Sequence, residues 1–470
     1  MSGSNRIVTL LLVVLDVIVF YGSYYVAFFF FNGFHDLANV ELFVHLSAWL
    51  GAGSILVFYF FDLYSSRLLQ KKSELVQTVL FAICFLTLVI MTMSFWIRDF
   101  SIPRSLILTG ACINCVLMIN ARVIIRILSE KAAGLKRVII LTNHPEEDKE
   151  RLRQKLTKYS RNFSVVDLYK PAHAHDLIHC SEKADVFLLS DSVSREDKEQ
   201  ILRLSLFRDK EVFLMPDLYE LMIAGANVQP IDDDMLVAIK MPQMSVAKRF
   251  WKRTFDCVIS LLLLFITSPI LLILFILIPV TSKGPAIYSQ ERLGQNGKPF
   301  LLYKFRSMIQ NAEDHSGPIL AGERDPRITK MGKWMRAMRL DELPQLLNVL
   351  TGSMSMVGPR PERAYFVYKY QERIPEFSFR MKVKPGITGL AQVMGNYGTG
   401  PEEKLRYDLM YIKSYSMVLD IKILFQTLLV VFKWRKAKGI REEESKGSTN
   451  RTADTIQAVD LSYGKEEKAL

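Results

Sequence analysis

The sequence is poor in the residue patterns from which disulfide frameworks, metal centres and hydrolase triads are built. Four of its five cysteines lie inside apolar runs, at positions 84, 112, 115 and 257, and Cys180 stands alone. We interpret them as small buried hydrophobic residues rather than as redox groups or metal ligands. The seven histidines suggest no Ser-His-Asp arrangement. Hydrolase chemistry is therefore not predicted.

A glycine-rich nucleotide turn and a continuous basic stripe are also missing. The turn after the first predicted strand of the middle region reads LTNHPEED, with no glycine that would let a pyrophosphate approach a helix N-terminus. The formal net charge is +12, but the basic residues gather beside apolar segments. Dinucleotide binding and nucleic-acid binding are therefore not predicted. An anionic lipid surface and a phosphate-bearing substrate explain the positive charge better than nucleic acid does.

The sequence is instead rich in long apolar runs, and half of its 470 residues are hydrophobic. Four stretches near the roughly 20 residues needed to span a bilayer occupy positions 7–31, 42–63, 75–96 and 102–125. They predict a bundle of four transmembrane helices within residues 1–133. Basic residues follow the second and fourth stretches, which places both termini of the bundle in the cytoplasm. These residues are Arg67, Lys71, Lys72, Arg122, Arg126, Lys131, Lys136 and Arg137.

One acidic residue, Asp16, lies inside the first predicted span, where a charge is costly. Two interpretations of it stay open. Asp16 is either a functional residue or the partner in a helix-helix hydrogen bond within the bundle.

A fifth apolar run, at positions 257–280, carries Ser268 and Pro269 in its middle. Proline removes a backbone donor and bends a helix, so this pair is predicted to break it. Each half of about 12 residues would reach only about 18 Å into a hydrocarbon core about 30 Å thick. Basic residues also lie on both sides of the run. We therefore predict a re-entrant helix, over about 255–280, that enters and leaves at the cytoplasmic face; the alternative is a kinked fifth span.

Residues 134–240 have the composition of a soluble α/β domain. Short β-branched or aromatic runs alternate with charged, helix-favouring stretches. The runs are KRVIILT, FSVVDLY, ADVFLLS and EVFLMPD, and the helical stretches are 146–158 and 195–206. This alternation predicts a small parallel sheet in a Rossmann-like cytoplasmic domain. A regulatory or dimer-forming role is the prediction for it.

Three blocks in the remaining chain carry a specific resemblance. They read QERLGQNGKPFLLYKFRSM at 290–308, RDPRITKMGKWMRAMRLDELPQLLNVLTGSMSMVGPRPE at 324–362 and VKPGITGLAQVMG at 383–395. Together they resemble the bacterial sugar transferase family, and the bundle and soluble domain ahead of them resemble its long form. The resemblance implies a monotopic α/β catalytic domain over 241–437, held by the re-entrant helix. Beyond it, the charged tail 438–470 is predicted to be disordered.

The resemblance also implies an activity. Such proteins are phosphoglycosyl transferases of the bacterial inner membrane, with the catalytic domain on the cytoplasmic face. They move a sugar-1-phosphate from a UDP-sugar to undecaprenyl phosphate, release UMP and so begin the assembly of an exopolysaccharide, a capsule or an O-antigen. Glucose and galactose are the commoner sugars, and no residue here discriminates between them. A homodimer formed through the soluble domain fits the long form.

Asp341 and Glu342 stand together just before the helix-favouring stretch PQLLNVL. The resemblance implies that Asp341 is the nucleophile that carries the phosphosugar, and that Glu342 assists with metal or proton handling. Attack of a carboxylate on a diphosphate brings two anions together, and Mg²⁺ held by both carboxylates would reduce the repulsion. Pro344 suits the first position of a helix. The dyad is therefore predicted at a helix N-terminus, where phosphate is favoured.

Five basic residues are predicted to bind substrate phosphates, because guanidinium and ammonium groups match phosphate oxygens. They are Lys304, Arg306, Arg336, Arg339 and Arg360. Alternating positions in YKFRSM would put Lys304 and Arg306 on one face of a strand. A charged surface at the membrane is the alternative for that pair.

Two of the arginines have further interpretations. The stretch GKWMRAMR, which contains Arg336, also has the pattern of an interfacial helix with Trp334, Met335 and Met338 toward lipid. Both interpretations of Arg336 are compatible. Arg360, held between two prolines, either contacts the nucleotide phosphates or belongs to a rigid structural turn.

Two other functions stay open at the level of sequence. An ordinary glycosyltransferase would attack the anomeric carbon and release UDP instead of UMP. A membrane scaffold or regulator would need no turnover. The intact acidic pair, the arginines and the Gly-Pro-Arg-Pro stretch argue against a degenerate site.

Overall fold

The computed structural model describes most of the chain as two compact units, Met1–Ile239 and Lys240–Leu470. The described residues are 3–32, 37–65, 72–96, 103–144, 152, 153, 156, 163–169, 183–224, 226–231, 234–239, 244–310, 312, 325–395 and 399–432. The tail predicted to be disordered lies outside them. So does the helix predicted at 146–158, apart from residues 152, 153 and 156.

The first unit begins with four long helices, at the positions predicted from the apolar runs. They are α1 (Gly3–Asn32), α2 (Leu37–Phe60), α3 (Lys72–Trp96) and α4 (Arg104–Ala133). Over their described parts, α1, α3 and α4 are long and apolar enough to cross a membrane, and α2 is apolar from Ser47 to Phe60. Large apolar side chains such as Phe30 and Trp96 are exposed on them. This is the surface of a membrane protein.

Asp16 joins two helices of the bundle. Its Oδ2 accepts a hydrogen bond from Arg122 Nη2 of α4 at 2.5 Å, and both side chains are buried. The second interpretation of Asp16, a contact between helices, is therefore correct. Arg122 is one of the cations used to orient the bundle, but it lies inside the bundle, so the orientation depends on the other basic residues.

The prediction that the cysteines are buried is wrong for the described ones. Cys84 and Cys112 are exposed, and Cys115 and Cys257 are half-buried. A small apolar thiol suits a helix surface that faces lipid as well as it suits a core. Cys112 and Cys115 have C-x-x-C spacing, but within the described ranges no three or more His, Cys, Asp or Glu side chains are placed to hold a metal.

A parallel sheet of four strands follows the bundle, with the order β2-β1-β3-β4. The strands are β1 (Lys136–Leu141), β2 (Phe163–Tyr169), β3 (Val186–Leu189) and β4 (Glu211–Leu214). Helix α5 (Arg195–Phe207) lies between β3 and β4, and α6 (Leu218–Ile223) follows β4. Alternate residues of β1 pack into separate apolar clusters. The predicted parallel α/β sheet is confirmed, and a closer likeness to a Rossmann unit stays a prediction.

A hairpin that the sequence did not predict follows α6. Strands β5 (Asn227–Ile231) and β6 (Asp234–Ala238) pair in antiparallel register. Its sequence contains Pro230 and three consecutive aspartates, which are typical of loops and depleted in strands.

The second unit combines one long helix with a small α/β body. Helix α7 (Val246–Thr281) is the fourth described helix that is long and apolar enough to cross a membrane. The elements of the body are β7 (Ile287–Leu293), β8 (Pro299–Phe305), α8 (Lys330–Ala337), α9 (Gln345–Thr351), β9 (Ser355–Val357), α10 (Ala364–Gln371), β10 (Gly386–Thr388), α11 (Leu390–Met394), α12 (Pro401–Lys413) and α13 (Met417–Phe432). Strands β7 and β8 form an antiparallel hairpin, and β9 and β10 a parallel pair.

Both ends of α7 pack on this body, whereas its middle does not. Near the N-terminal end, Asp256 Oδ2 accepts a hydrogen bond from Ser355 Oγ at 2.8 Å. Near the C-terminal end, Ile278 is buried in an apolar cluster with Phe305. No residue at positions 261–273 is buried. The exposed middle is the most apolar part of the helix, so it is the part that lipid would cover.

The helical structure of α7 continues through Ser268 and Pro269. The hydroxyl of Ser268 donates to the carbonyl of Phe265 at 2.8 Å, within the preceding turn. The prediction that Ser268 and Pro269 interrupt the helix is therefore wrong. That the helix bends at this pair stays a prediction.

Candidate active site

The turn between α8 and α9 carries the acidic pair. Arg339 follows the end of α8 in a left-handed conformation, with φ 58° and ψ 20°. Residues Leu340–Glu342 then form one 3₁₀ turn, and Pro344 is the N-cap residue of α9. The helix thus begins at Gln345, one residue later than the prediction that placed Pro344 at its first position. The pair consequently lies in a tight turn ahead of the helix rather than inside its first turn.

Asp341 and Glu342 have opposite surroundings. Asp341 is 9% exposed, and no residue that the structure describes hydrogen-bonds or ion-pairs with its carboxylate. Glu342 Oε1 accepts hydrogen bonds from Arg360 Nη2 at 3.0 Å and from Arg339 Nη1 at 3.3 Å. Burial, and then the charge of Glu342, raise the pKa of Asp341. Burial acts on Glu342 in the same direction, but Arg360 and Arg339 together outweigh it and lower the pKa of Glu342.

Lys304 lies beside the free carboxylate. The register of the β7–β8 hairpin sets Lys304 opposite Tyr288, and its ammonium lies 5.0 Å from the centre of that ring. Burial, and then the positive charges of Arg292 and Arg336, lower the pKa of Lys304 to about 8. Its own charge lowers the pKa of Asp341. Lys304 is therefore a half-buried cation within electrostatic reach of the predicted nucleophile.

Asn348 fixes α9 against the hairpin. It is buried, its Nδ2 donates to the carbonyl of Leu301 at 2.7 Å, and its Oδ1 accepts from Tyr303 N at 3.0 Å. Sequence reasoning missed this residue, although an asparagine in the otherwise apolar stretch PQLLNVL was a signal for a buried polar contact. The contact holds the strand that carries Lys304 next to the helix that follows Asp341.

Arg336 is the second cation beside Asp341. Its Nε donates to Ser307 Oγ at 2.8 Å. Its charge lowers the pKa values of both Asp341 and Lys304. The basic residues of the site thus differ in their hydrogen bonds. Arg339 and Arg360 bind Glu342, whereas Lys304 and Arg336 act on Asp341 through their charge alone.

The loop after β9 presents Arg360 to the site. A buried ion pair, Arg380 with Asp408 at 2.8 Å, lies behind this loop, and Arg380 Nη2 donates to the carbonyl of Arg360 at 3.0 Å. Gly358 approaches Gly386 so closely that a Cβ on either would overlap main-chain atoms of the other loop. The loop is therefore both a rigid turn and the support of a side chain that reaches Glu342.

Arg306 does not belong to the site. Strand β8 ends at Phe305, and the Arg306 side chain is buried. Its Nη2 donates to the carbonyl and the hydroxyl of Ser282 at 2.8 and 3.0 Å, and its Nη1 to the carbonyl of Lys283. These groups close the C-terminal end of α7. The prediction that Arg306 binds phosphate is wrong, because its guanidinium is already bound to main-chain oxygens.

The alternative interpretation of α8, an interfacial helix with Trp334, Met335 and Met338 toward lipid, is only partly correct. Trp334 and Met338 are partly exposed, but Met335 is fully buried in the apolar cluster that also contains Phe305. The prediction that Met335 faces lipid is therefore wrong. Burial of Met335 on one side of α8 fixes the rotation of the helix and so the direction of Arg336.

Comparison with known proteins identifies the family. A family model described as bacterial sugar transferase matches residues 247–434, which contain every residue of this site. An exopolysaccharide production protein PSS from Rhizobium leguminosarum bv. phaseoli is 42% identical over 197 residues, which are 40% of this chain and 97% of that protein. The chain belongs to the bacterial sugar transferase family.

Other members of the family match over a similar segment. A UDP-glucose:undecaprenyl-phosphate glucose-1-phosphate transferase from Klebsiella pneumoniae is 40% identical over 226 residues, 47% of this chain and 48% of that protein. An undecaprenyl-phosphate galactose phosphotransferase from Salmonella typhimurium is 38% identical over 213 residues, 42% of this chain and 44% of that protein. The chain thus spans about half the length of these relatives. A second family model, described as a CoA-binding domain, matches residues 59–196.

The carboxylates of this sugar transferase fit magnesium in a limited way. Mg²⁺ in phosphate-transfer sites is bound by one or two carboxylates together with substrate oxygens and water. Asp341 offers an unpaired carboxylate, whereas both oxygens of Glu342 already accept hydrogen bonds from Arg339. The donor set therefore suits an ion held by Asp341 and substrate phosphates. Glu342 would contribute an oxygen only if that oxygen could bind the ion and its arginine together.

Proposed function

We propose that the protein transfers a sugar-1-phosphate from a UDP-sugar to undecaprenyl phosphate and releases UMP. The contrast between the two acids carries the proposal. A carboxylate that attacks phosphorus must keep its lone pairs available, and among the described residues nothing binds Asp341, whereas Glu342 is held by Arg339 and Arg360. A raised pKa also makes Asp341 a better nucleophile than an ordinary carboxylate.

The reaction takes two displacements at one phosphorus. In the first, an oxygen of Asp341 bonds to the β-phosphorus of the UDP-sugar, and the bond from that phosphorus to the bridging oxygen breaks. UMP leaves with the electron pair, and the phosphosugar remains as an acyl phosphate on Asp341. In the second, an oxygen of the polyprenyl phosphate bonds to the same phosphorus while the bond to Asp341 breaks. The carboxylate is restored and the product is a polyprenyl diphosphosugar.

The cations of the site make the approach of anion to anion feasible. Lys304 and Arg336 neutralise the phosphates beside Asp341, and fixed charges in a partly buried site act more strongly than in water. Arg360 and Arg339 hold Glu342 ionised, so that it stays a fixed acceptor. A bound Mg²⁺ would supply further neutralisation of the phosphates. The residues named here bind and orient the phosphates whether or not the ion carries part of the charge.

The family relatives support the substrate classes. Two are named for undecaprenyl phosphate, one with glucose-1-phosphate and one with galactose. Their names differ in the sugar, and both match over the segment that contains the site. The donor is therefore tested sugar by sugar, with UDP-glucose and UDP-galactose first.

The proposal includes a re-entrant α7 that holds the site at the cytoplasmic face of the inner membrane. Support comes from the packing of its two ends on one body, while no residue at positions 261–273 is buried. A helix that crossed the bilayer would carry one end to the far side, about 30 Å away. Lys248 and Lys283 flank the apolar run of this helix, and a pair of cations on one side agrees with the distribution of charge in membrane proteins.

The topology is tested with Lys248→Cys and Lys283→Cys in a cysteine-free protein. Both positions are exposed. An impermeant maleimide should label neither in intact cells whose outer membrane has been permeabilised, and both in inverted membrane vesicles. Labelling of one position from the periplasmic side would replace the re-entrant helix by a crossing one.

The activity is tested in membranes that contain the protein, undecaprenyl phosphate, Mg²⁺ and one UDP-sugar at a time. Lipid-dependent release of UMP is the expected result, and Asp341→Asn should abolish it because an amide does not attack phosphorus. Asp185→Asn is the matched control. It makes the same chemical change in an exposed carboxylate paired with Arg137 at 3.2 Å in the first unit.

The product nucleotide separates the proposal from its rivals. UDP in place of UMP would mean attack at the anomeric carbon, and turnover that survives Asp341→Asn would exclude the covalent step. A phosphosugar on the peptide that contains Asp341, trapped without lipid acceptor and detected by mass spectrometry, would be direct support for the intermediate.

A further inference from the structure

Ser307 lies where the β7–β8 hairpin meets α8. It follows Lys304, Phe305 and Arg306 in the chain and is only 4% exposed. Its carbonyl oxygen accepts a hydrogen bond at 3.1 Å from the N–H of Thr329, the N-cap residue of α8. The main chain of Ser307 therefore holds the start of this helix.

The first turn of α8 approaches Ser307 so closely that glycine is required there. A Cβ added at Gly332 would overlap the carbonyl group of Ser307, and main-chain atoms cannot move aside as the end of a side chain can. Arg336 follows Gly332 by four residues, so the two lie on one face of the helix. The close approach thus brings Arg336 over Ser307.

The side chain of Ser307 completes the contact. Its Oγ accepts the hydrogen bond from Arg336 Nε at 2.8 Å. A guanidinium that is bound at Nε keeps both Nη groups available for another ligand. Neither Nη group of Arg336 hydrogen-bonds to a residue within the described ranges. Arg339 and Arg360, in contrast, use Nη groups on Glu342.

We propose that Ser307 is a positioning residue, whose hydroxyl fixes the plane of the Arg336 guanidinium and so aims its Nη groups at the phosphate that reacts with Asp341. The inference rests on the proposed function. A guanidinium presents a planar fork that matches two phosphate oxygens, and misplacement of such a fork by an ångström reduces its effect strongly. Ser307 does not touch the substrate and acts through Arg336.

The test compares the full chain, Ser307→Ala, Arg336→Lys and the double variant in phospholipid nanodiscs with undecaprenyl phosphate. The value of kcat/KM for the UDP-sugar is measured for each protein. Ser307→Ala should lower it by about tenfold or more. Arg336→Lys keeps a positive charge but has no Nε donor, so adding Ser307→Ala to it should change kcat/KM by less than about twofold.

Ser355→Ala is the matched control, because Ser355 is also a buried serine whose hydroxyl contacts a charged side chain, Asp256, at 2.8 Å. It should lower the melting temperature and leave kcat/KM at its wild-type value. A Ser307→Ala protein with wild-type kcat/KM overturns the inference. Equal effects of Ser307→Ala in both backgrounds, with and without Arg336, overturn it as well.

A second measurement needs no turnover. In the Asp341→Asn background, the dissociation constant of the UDP-sugar is measured by equilibrium dialysis. Ser307→Ala should raise this dissociation constant, whereas adding it to Arg336→Lys should change the constant by less than about twofold; an unchanged dissociation constant in the Ser307→Ala protein overturns the inference. A wild type that releases no UMP while Ser307→Ala still raises the dissociation constant refutes the proposed function and leaves the link from Ser307 to Arg336 standing.

Discussion

Replacing Lys304 with arginine should remove the alkaline limit of activity. The ammonium of Lys304 makes no hydrogen bond to a described residue and lies against the ring of Tyr288. Burial, followed by the charges of Arg292 and Arg336, lowers its pKa to about 8. The proposed reaction needs this cation charged beside the phosphates. Wild-type kcat/KM should therefore fall as the pH rises through about 8.

The expected size of the effect follows from the titration. One unit above its pKa, about one tenth of an ammonium group remains charged, so wild-type kcat/KM at pH 9 should be about one tenth of its maximum. Arginine stays charged beyond pH 12. The Lys304→Arg protein should therefore keep nearly all of its own maximal kcat/KM at pH 9, even if that maximum is lower than in the wild type.

The same pKa predicts a gain in stability when the charge is removed. The folded pKa of Lys304 is depressed, so between about pH 8 and 10.5 the unfolded chain binds more protons and stability rises with pH. At pH 7 the charged ammonium therefore destabilises the fold. A shift from 10.5 to about 8 corresponds to at most about 3 kcal/mol, reduced to the extent that solvent reaches the group. Lys304→Met should raise the melting temperature and lower turnover.

The assay is the rate of UMP release in nanodiscs at several concentrations of UDP-sugar, because kcat/KM reports ionisations of the free enzyme. Melting temperatures of the same preparations are measured by scanning fluorimetry. If kcat/KM of the Lys304→Arg protein still falls near pH 8, a group other than Lys304 causes the alkaline loss of activity. A Lys304→Met protein that melts below the wild type would refute the claim that the buried charge is destabilising.

Two further substitutions separate structural from functional arginines. Arg306→Met should lower the free energy of unfolding by at least about 2 kcal/mol without raising KM for the UDP-sugar, because Arg306 bonds Ser282 at the end of α7; a raised KM at unchanged stability would return Arg306 to the site. Arg339→Gly should relieve the left-handed conformation by about 1 kcal/mol and reduce turnover, because Glu342 loses one of its arginines. A fully active Arg339→Gly protein would contradict that role.

The long elements of the fold were predictable because their signals are repeated many times along the chain. Four apolar runs gave α1 to α4, and four β-branched runs gave β1 to β4 near their observed bounds. Short elements carry too few residues for a period to stand out. Helices such as α10 and α11 are of this kind. The hairpin β5–β6 was missed for a different reason, since its single proline and its aspartates favour a loop and only tertiary context makes it a hairpin.

The sequence indicated which kinds of residue form the site, but it did not indicate which of them contact each other. Resemblance singled out Asp341 and its arginines, yet it did not indicate which arginines hold Glu342 and which stay free. The partners of Arg336 and Arg380 lie 29 residues away at Ser307 and 28 residues away at Asp408. Contacts over such separations depend on how elements pack, and no local pattern records them. Strand alternation misplaced Arg306 because β8 ends one residue before it.

The opposite surroundings of two neighbouring carboxylates follow from the backbone between α8 and α9. Arg339 has a positive φ, which costs a non-glycine residue about 1–2 kcal/mol, whereas glycine would adopt it freely. The chain nevertheless has an arginine, and its guanidinium reaches Glu342 at 3.3 Å. In a 3₁₀ turn successive side chains point about 120° apart, so a Glu342 turned toward Arg339 leaves Asp341 turned toward Lys304 and Arg336. Strain of this kind persists only where the surroundings fix it, and here it lets Arg339 hydrogen-bond to Glu342 and leaves the oxygens of Asp341 without a hydrogen bond from a described residue.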